Sequence, residues 1–447
     1  MDTPICDFID AYAASDPLRL HMPGHKGISL TGTEAGDITE IDGADVLYDP
    51  CGIIKRSEEN AASLWNTGRT VYSAEGSSLA IRAMLYLAMI FAKQQHRPTK
   101  ILAARNAHKT FITAAALLDA EVEWMYGKTP GSLFSCRITP QMVEEKLKTE
   151  TPAAVYLTSP DYLGQTADVE AIARICHRYG TLLLIDNAHG AYLHFLPDPR
   201  HPIDLGADIC CDSAHKTLPV LTGGAYLHLS SALPPFFSQH ADAAMALFAS
   251  TSPSYLILRS LDAANRYLTE GYRERLAVFC RRMENNKRQL QNAGYTLIGD
   301  EPLKLTVAPK SYGYTGRELA EKLKKNNIIC EACDPDHTVM MFSPDVPEAL
   351  DRLTDILLSL KPKPPVTETP PAAVEAEQVC SPRQALLSPF ETLPVSQCEG
   401  RILAVPSVSC PPAIPIAVCG EKLNKSMLAR FDYYGISECS VLKNPIE

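Results

Sequence analysis

Lys216 sits in Cys211-Asp-Ser-Ala-His-Lys-Thr217, 30 residues after Asp186, the carboxylate that closes the apolar run Leu182-Leu-Leu-Ile185. A lysine amine can hold an aldehyde covalently. A carboxylate can keep a pyridine nitrogen protonated, so that the ring drains electrons from a bond being broken. The order of apolar strand, acid and lysine therefore suits pyridoxal 5'-phosphate. Either residue alone says little, since an acid commonly caps the turn after a strand and most lysines are solvated. The apolar surroundings from Ile209 to Val220 argue against a merely solvated Lys216.

Other residues could serve the same chemistry. Gly76-Ser77-Ser78 precedes the helical run Leu79 to Lys93. A helix start offers N–H groups and a favourable dipole to a phosphate, the plain alternative being an ordinary N-cap. His108 follows the apolar Ile101-Leu-Ala-Ala104 and supplies a flat ring that exchanges a proton near neutral pH, although a loop or cap role suits it too. His189 lies three residues beyond Asp186, and His215 stands directly before Lys216. Both are placed to touch a cofactor or a reacting amino acid, or to be structural.

These residues need a scaffold. From Asp37 to about Ser230, short apolar runs alternate with amphipathic segments, the pattern of helices around a mostly parallel sheet. Strands are expected at 101–104, 122–125, 154–157, 182–185, 208–211 and 224–227, with helices at 139–148 and 168–179. Ligands of such sheets gather beyond the carboxyl ends of the strands, where Thr158-Ser-Pro160, Asp186 and Ser213-Ala-His-Lys216 fall. The expected organisation is an N-terminal segment (1–36), a large cofactor-binding domain (37–261), a small α/β domain (262–360), a Pro-rich linker (361–380) and a C-terminal domain (381–447). The small domain should carry one long helix over 262–292, strands at 304–307 and 338–342, and helices at 317–326 and 347–360.

Composition narrows the partners. The 447 residues carry 42 basic and 52 acidic side chains, a formal charge of −10, with no basic stripe to track a phosphate backbone, so nucleic acid is not expected. The first ten residues carry acids where a secretory signal needs a cationic start. The longest apolar stretch, Leu79 to Ala92, is short for a bilayer and contains Arg82. A cytoplasmic protein without a membrane span is expected, its 14 scattered cysteines free thiols. Cys210 and Cys211 would face opposite sides of a strand, and no metal is assigned.

Taken in order, His21-Met-Pro-Gly-His-Lys-Gly27, Asp37-Ile-Thr-Glu-Ile-Asp42, Gly52-Ile-Ile-Lys55, Gly76-Ser-Ser78, Asp186-Asn-Ala-His-Gly190 and Ser213-Ala-His-Lys-Thr217 resemble the motif set of the Orn/Lys/Arg decarboxylases. Ser381-Pro-Arg-Gln-Ala385, Gly400-Arg-Ile402 and the stretch Pro411 to Glu421 are similar to that family's C-terminal domain, with Ala413 and Cys419 where the family has Gly and Pro. The resemblance implies an aspartate aminotransferase-like (fold type I) α/β enzyme of the short form, without an N-terminal wing domain. It implies that Lys216 carries the cofactor, Asp186 binds the pyridine nitrogen, His108 stacks on the ring and His189 lies near the ring hydroxyl. Gly76, Ser77, Ser78, Ser213 and His215 would hold the phosphate, and Thr251-Ser-Pro-Ser-Tyr255 would approach the site, in a homodimer or larger homo-oligomer.

The implied reaction is decarboxylation of a basic L-amino acid, arginine before lysine or ornithine, in polyamine-type metabolism. An aminotransferase or other lyase of the same fold is one alternative, and a non-catalytic regulatory relative another. The strand regions 294–309 and 328–342 contain no arginine to clamp an α-carboxylate, which disfavours transamination. Retention of Lys216, Asp186 and the serine pair disfavours the silent relative. A cationic substrate side chain could meet Asp300, Glu301, Glu331, Asp334, Asp336 or Glu421, each of which is equally well an ordinary acidic surface residue.

Overall fold

Seven short runs form one sheet in the computed structural model, which describes residues 1–127, 135–406 and 414–444. They are β1 (Arg69–Ser73), β2 (Ile101–Ala104), β3 (Val122–Met125), β4 (Ala154–Thr158), β5 (Leu182–Asp186), β6 (Ile209–Asp212) and β7 (Ala225–Leu229), ordered β1-β7-β6-β5-β4-β2-β3. β2 pairs parallel with β3 and β5 with β6, whereas β7 runs antiparallel to both β6 and β1. Strands covered on both faces read as largely apolar runs, so β2 and β4 to β7 are visible in sequence, and β3, half-buried at the sheet's edge and interrupted by Glu123, is visible from Val122, Trp124 and Met125. β1 is not, because Arg69-Thr-Val-Tyr-Ser73 carries polar residues, several of which bond partners far along the chain. Arg69 pairs with Asp242 at 2.5 Å, and Thr70 meets His228 at 2.8 Å.

The chain divides into two compact units. The first comprises Met1–Thr99, Leu147–Val155 and Val169–Leu276. Here α1 (Pro4–Ala14) has no side-chain cap of its own, and Asp262 accepts the Ile5 and Cys6 N–H groups instead. α2 (Ile53–Leu64) lies against β1. α3 (Ser77–Gln94) is buried along most of its length, against β6, β7 and the helix Pro235–Ala246. This explains the apolar stretch around Arg82, and no described helix is long and apolar enough to cross a membrane. The single helix expected over 262–292 is instead two, Tyr255–Thr269 and Tyr272–Asn292, broken at Gly271, whose φ of +71° a helix cannot contain.

The second unit comprises Lys100–Lys146, Tyr156–Asp168 and Ala277–Glu447. α4 (Lys109–Leu118) follows β2. An antiparallel sheet of β8 (Thr296–Ile298), β9 (Lys304–Ala308), β10 (Ala332–Cys333) and β11 (Thr338–Met341) runs in the order β10-β11-β9-β8. Helices Gly316–Lys325 and Glu348–Ser359 close its core with Leu319, Leu323, Leu353 and Leu357. The Pro-rich stretch forms no helix or strand, yet it is tied down: Lys363 and Val366 donate N–H groups to Tyr312 and Lys310, and Arg430 bonds the Pro371 carbonyl. Beyond it, β12 (Phe390–Pro394) and β13 (Glu438–Leu442) pair antiparallel beside the helix Lys425–Tyr434. Leu403, Leu423, Phe431 and Val441 fill that core. No disulfide joins any two described cysteines.

Candidate functional site

Lys216 belongs to the short helix Ala214–Thr217, entered from β6 through Ser213. Its side chain is exposed, and its Nζ lies 3.3 Å from Nε2 of the buried His189. His189 comes from the turn after β5, and that turn is sewn to β6. The Asn187 N–H donates to the Cys211 carbonyl at 3.0 Å, and the Gly190 N–H donates to the Asn187 carbonyl at 2.8 Å. Asp186, buried at the end of β5, accepts the Ala188 N–H at 3.2 Å and faces the Cys211 thiol. The strand pairing of Asp186 with Cys211 thus brings two stretches far apart in sequence to one edge.

The candidate phosphate residues gather at the start of α3. Gly76 has φ +72° and offers no side-chain cap, and a Cβ placed there would meet only the Ser78 nitrogen, at 4.0 Å. The Ser213 hydroxyl donates to the Ser77 hydroxyl at 2.7 Å, joining this helix mouth to the Lys216 segment. Open space, hydroxyls and the positive end of an 18-residue helix suit a phosphate.

Two of the candidate histidines make hydrogen bonds within the protein. His215 donates its Nδ1 proton to the Gly224 carbonyl at 2.9 Å, and burial pushes its pKa down, with Lys216 adding to the drop. A neutral His215 therefore presents an acceptor nitrogen, and it grips a phosphate only when protonated. His108, in the second unit, caps α4: its Nδ1 accepts the Thr110 N–H at 3.2 Å, which leaves the proton of the neutral ring on Nε2. Tyr255, expected near the site, donates its hydroxyl to the Asp45 carbonyl at 2.7 Å.

The six carboxylates considered for a cationic substrate are all engaged within their own unit. Asp300 accepts from Thr166 at 2.6 Å, Glu301 pairs with Lys304 at 3.2 Å, and Glu331 accepts from the Tyr162 hydroxyl. Asp334 accepts the Asp336 and His337 N–H groups, Asp336 pairs with Lys310 at 2.6 Å, and buried Glu421 pairs with Arg105 at 3.1 Å.

Sequence reasoning missed a cavity of about 460 Å³ beyond the carboxyl ends of β2 and β4. Asn106, Thr158, Asp161 and Gln165 line it, and Asn106 Oδ1 and Thr158 Oγ are buried without a hydrogen-bond partner among the described residues. Burial pushes the Asp161 carboxyl up to about 6. The signal was present, since Asn106 lies in the turn that carries His108 and Thr158 ends a recognised strand. One Cys-x-x-Cys spacing, Cys330-Glu-Ala-Cys333, also escaped the expectation of scattered thiols. Burial pushes both thiols up, Cys330 to about 11. Pro411, Pro412 and Ala413 lie outside the described residues.

Comparison with known proteins adds an independent line. The family described as Orn/Lys/Arg decarboxylase, major domain, matches residues 3–299, and its C-terminal domain matches residues 368–445. An arginine decarboxylase of Bacillus subtilis (strain 168) is 29% identical, covering 96% of this chain and 92% of its own length. The uncharacterized protein YaaO of the same organism is 30% identical, covering 96% of this chain and 94% of its own. The crystal structure of the Francisella novicida lysine decarboxylase LdcF superposes with a TM-score of 0.78 at 16% identity, covering 99% of this chain and 81% of that one.

Proposed function

Because the chain belongs to the Orn/Lys/Arg decarboxylase family, pyridoxal-phosphate-dependent amino-acid decarboxylases of fold type I, we propose that it decarboxylates a basic L-amino acid, arginine before lysine or ornithine. The products are carbon dioxide and the matching amine, destined for polyamine-type metabolism in the cytoplasm. The preference for arginine rests on relatives such as the B. subtilis enzyme.

One observation carries the reading: an exposed lysine amine 3.3 Å from a buried imidazole, on a turn that begins with a buried carboxylate. The donor set suits pyridoxal phosphate, which when bound supplies an electron sink conjugated to the substrate nitrogen. Lys216 is the residue to carry it, and Asp186 the acid to face its ring nitrogen. Gly76, Ser77, Ser78 and Ser213 at the mouth of α3 would hold its phosphate, joined by His215 once protonated. His108 is the flat partner the family implies, and its cap on α4 holds that ring still. His189 Nε2 shares a proton with Lys216 Nζ, so the amine can be kept neutral for attack and can later return a proton to the substrate α-carbon. The protein's main contribution is to hold these groups in register.

A second copy of the chain is the proposed partner, as a homodimer or larger assembly. Leu18, Leu20, Met22, Ile28 and Leu30 stand exposed within one short segment, an apolar patch of the kind that another subunit covers. The domain divisions at 37–261, 262–360 and 381–447 stay part of this reading.

The test is to incubate purified holoenzyme with arginine, lysine and ornithine separately and measure carbon dioxide and amine. Arginine is expected to be consumed fastest, without any keto acid. Amino transfer dependent on a keto acid, with no carbon dioxide released, would overturn the assignment.

A further inference from the structure

Asp212 follows Cys211 on β6 and points to the opposite face of the sheet, into a closed polar cage that the reaction described above does not use. Asp212, His201 and His228 are all fully buried. Asp212 Oδ2 receives His201 Nε2 at 3.0 Å, with His228 Nε2 a looser contact at 3.3 Å, and Oδ1 receives the Asn187 amide at 2.6 Å. His201 Nδ1 accepts the Ile203 N–H at 3.3 Å, which puts the ring proton on Nε2, facing the carboxylate. His228 Nδ1 meets the Thr70 hydroxyl at 2.8 Å, which in turn meets Thr67. Burial works against a charge on Asp212, yet His201 and His228 outweigh it and hold the carboxyl well below its usual range. Burial also pushes the His228 pKa down, so this ring is a neutral neighbour.

Cys210 Sγ, 3.8 Å from His201 Nε2, gives the cage the residue types of a metal site. The proton on His201 Nε2 occupies the direction a metal would need, and burial pushes the Cys210 thiol far up. Asp212 is held in the cage as a hydrogen-bonded carboxylate. Such a buried charge costs desolvation that an apolar residue would not, so what it adds is definition of geometry.

The geometry it defines is that of Asn187, the residue after Asp186. Its backbone is bonded to Cys211 and Gly190, and its side chain is bonded to Asp212. Gly190 leaves room for that side chain, since a Cβ there would lie 2.0 Å from Asn187 Oδ1. We infer that Asp212, held by His201 and His228, is a positioning residue that clamps Asn187 and so keeps Asp186 and His189 in register with Lys216. The inference rests on the proposed cofactor roles of those three residues.

Two measurements on Asp212→Asn and Asn187→Ala test it. In cofactor-free protein labelled with 15N-histidine, the cage predicts an exchange-protected Nε2–H resonance for His201, assigned by its loss in His201→Gln. The His201 resonance is expected to be lost in Asp212→Asn, and its absence from the unmutated protein would overturn the cage. At a temperature where all proteins are folded, both variants are expected to bind pyridoxal phosphate at least about tenfold more weakly and to shift the lysine-dependent absorbance band. Lower melting temperature with unchanged affinity and band would mean a purely structural cage and would overturn the inference. If Asp212→Asn fails to fold, Asn187→Ala decides, because it removes only the last link. Unmutated protein that forms no lysine-dependent band at all would overturn the proposed cofactor site instead, whatever the resonances show.

Discussion

The Lys216 turn and the acidic residues of the second unit place charge for opposite ends. At the turn, Asp186, His189 and Lys216 come from two short stretches on adjacent strands, and Lys216 is left exposed. In the second unit, Glu331 reaches a partner 169 residues away and Glu421 one 316 residues away, and those contacts hold the unit's own structure. An amine exposed to solvent beside an imidazole is available for chemistry, whereas carboxylates engaged by cations and hydrogen-bond donors of their own unit serve the fold.

The sharpest way to break this contrast is Lys216→Ala. Carbon dioxide release is expected to fall at least about a thousandfold, as for loss of a covalent catalyst, with stability unchanged within about 0.5 kcal/mol. Single-turnover assays and thermal melts check both. A large loss of stability would mean that Lys216 supports the fold after all.

Glu421→Ala should do the reverse. Removing one partner of a buried ion pair takes the Glu421 carboxylate from Arg105, which keeps the Pro415 and Ile416 carbonyls and the face of Trp124, at an expected cost of about 3–5 kcal/mol. Denaturant melts should show it while the lysine-dependent absorbance band persists. Loss of that band in folded protein would put Glu421 among the site residues.

The same contrast explains what could be read in advance. β5, β6 and the turns after them were legible because buried strands are apolar throughout and the residues at their ends are neighbours in sequence. Family resemblance then supplied the roles. β1 escaped because Arg69, Thr70 and Tyr72 find partners far along the chain, and Glu331, Asp336 and Glu421 because nothing local marks Tyr162, Lys310 or Arg105 as their partners. The two helices at 255–292 were partly visible, since Gly271 stood in plain sight and only its left-handed backbone decided the break. The cap made by His108 was a stated alternative, whereas the Asn187 clamp had no local mark.

His189→Asn sharpens the contrast within the turn itself. Loss of a group that exchanges a proton with Lys216 should cost about a hundredfold in rate, with modest change in substrate KM. Steady-state kinetics with the preferred amino acid would show this, and a rate equal to that of the unmutated enzyme would leave His189 a merely structural residue.

Glu58 carries the comparison into the first unit, as a buried acid with no cation in hydrogen-bond contact among the described residues. It accepts the Tyr72 N–H at 2.9 Å, and burial pushes its carboxyl up to about 8. The unfolded carboxyl ionises near its ordinary value of 4.5, so between pH 4.5 and 8 the folded state binds more protons than the unfolded. Stability should therefore fall as pH rises, by about 2 kcal/mol from pH 6 to pH 8. His215 and His228, with pKa values depressed by burial, act with the opposite sign, and their contribution is lost as pH falls below about 6.5. Glu58→Gln keeps the shape and the acceptor for Tyr72 while removing one titration. The difference between the stability curves of variant and unmutated protein isolates Glu58, and it should widen between about pH 4.5 and pH 8 and level off above. Parallel curves would mean that Glu58 is ionised in the folded protein, with a compensating cation close by.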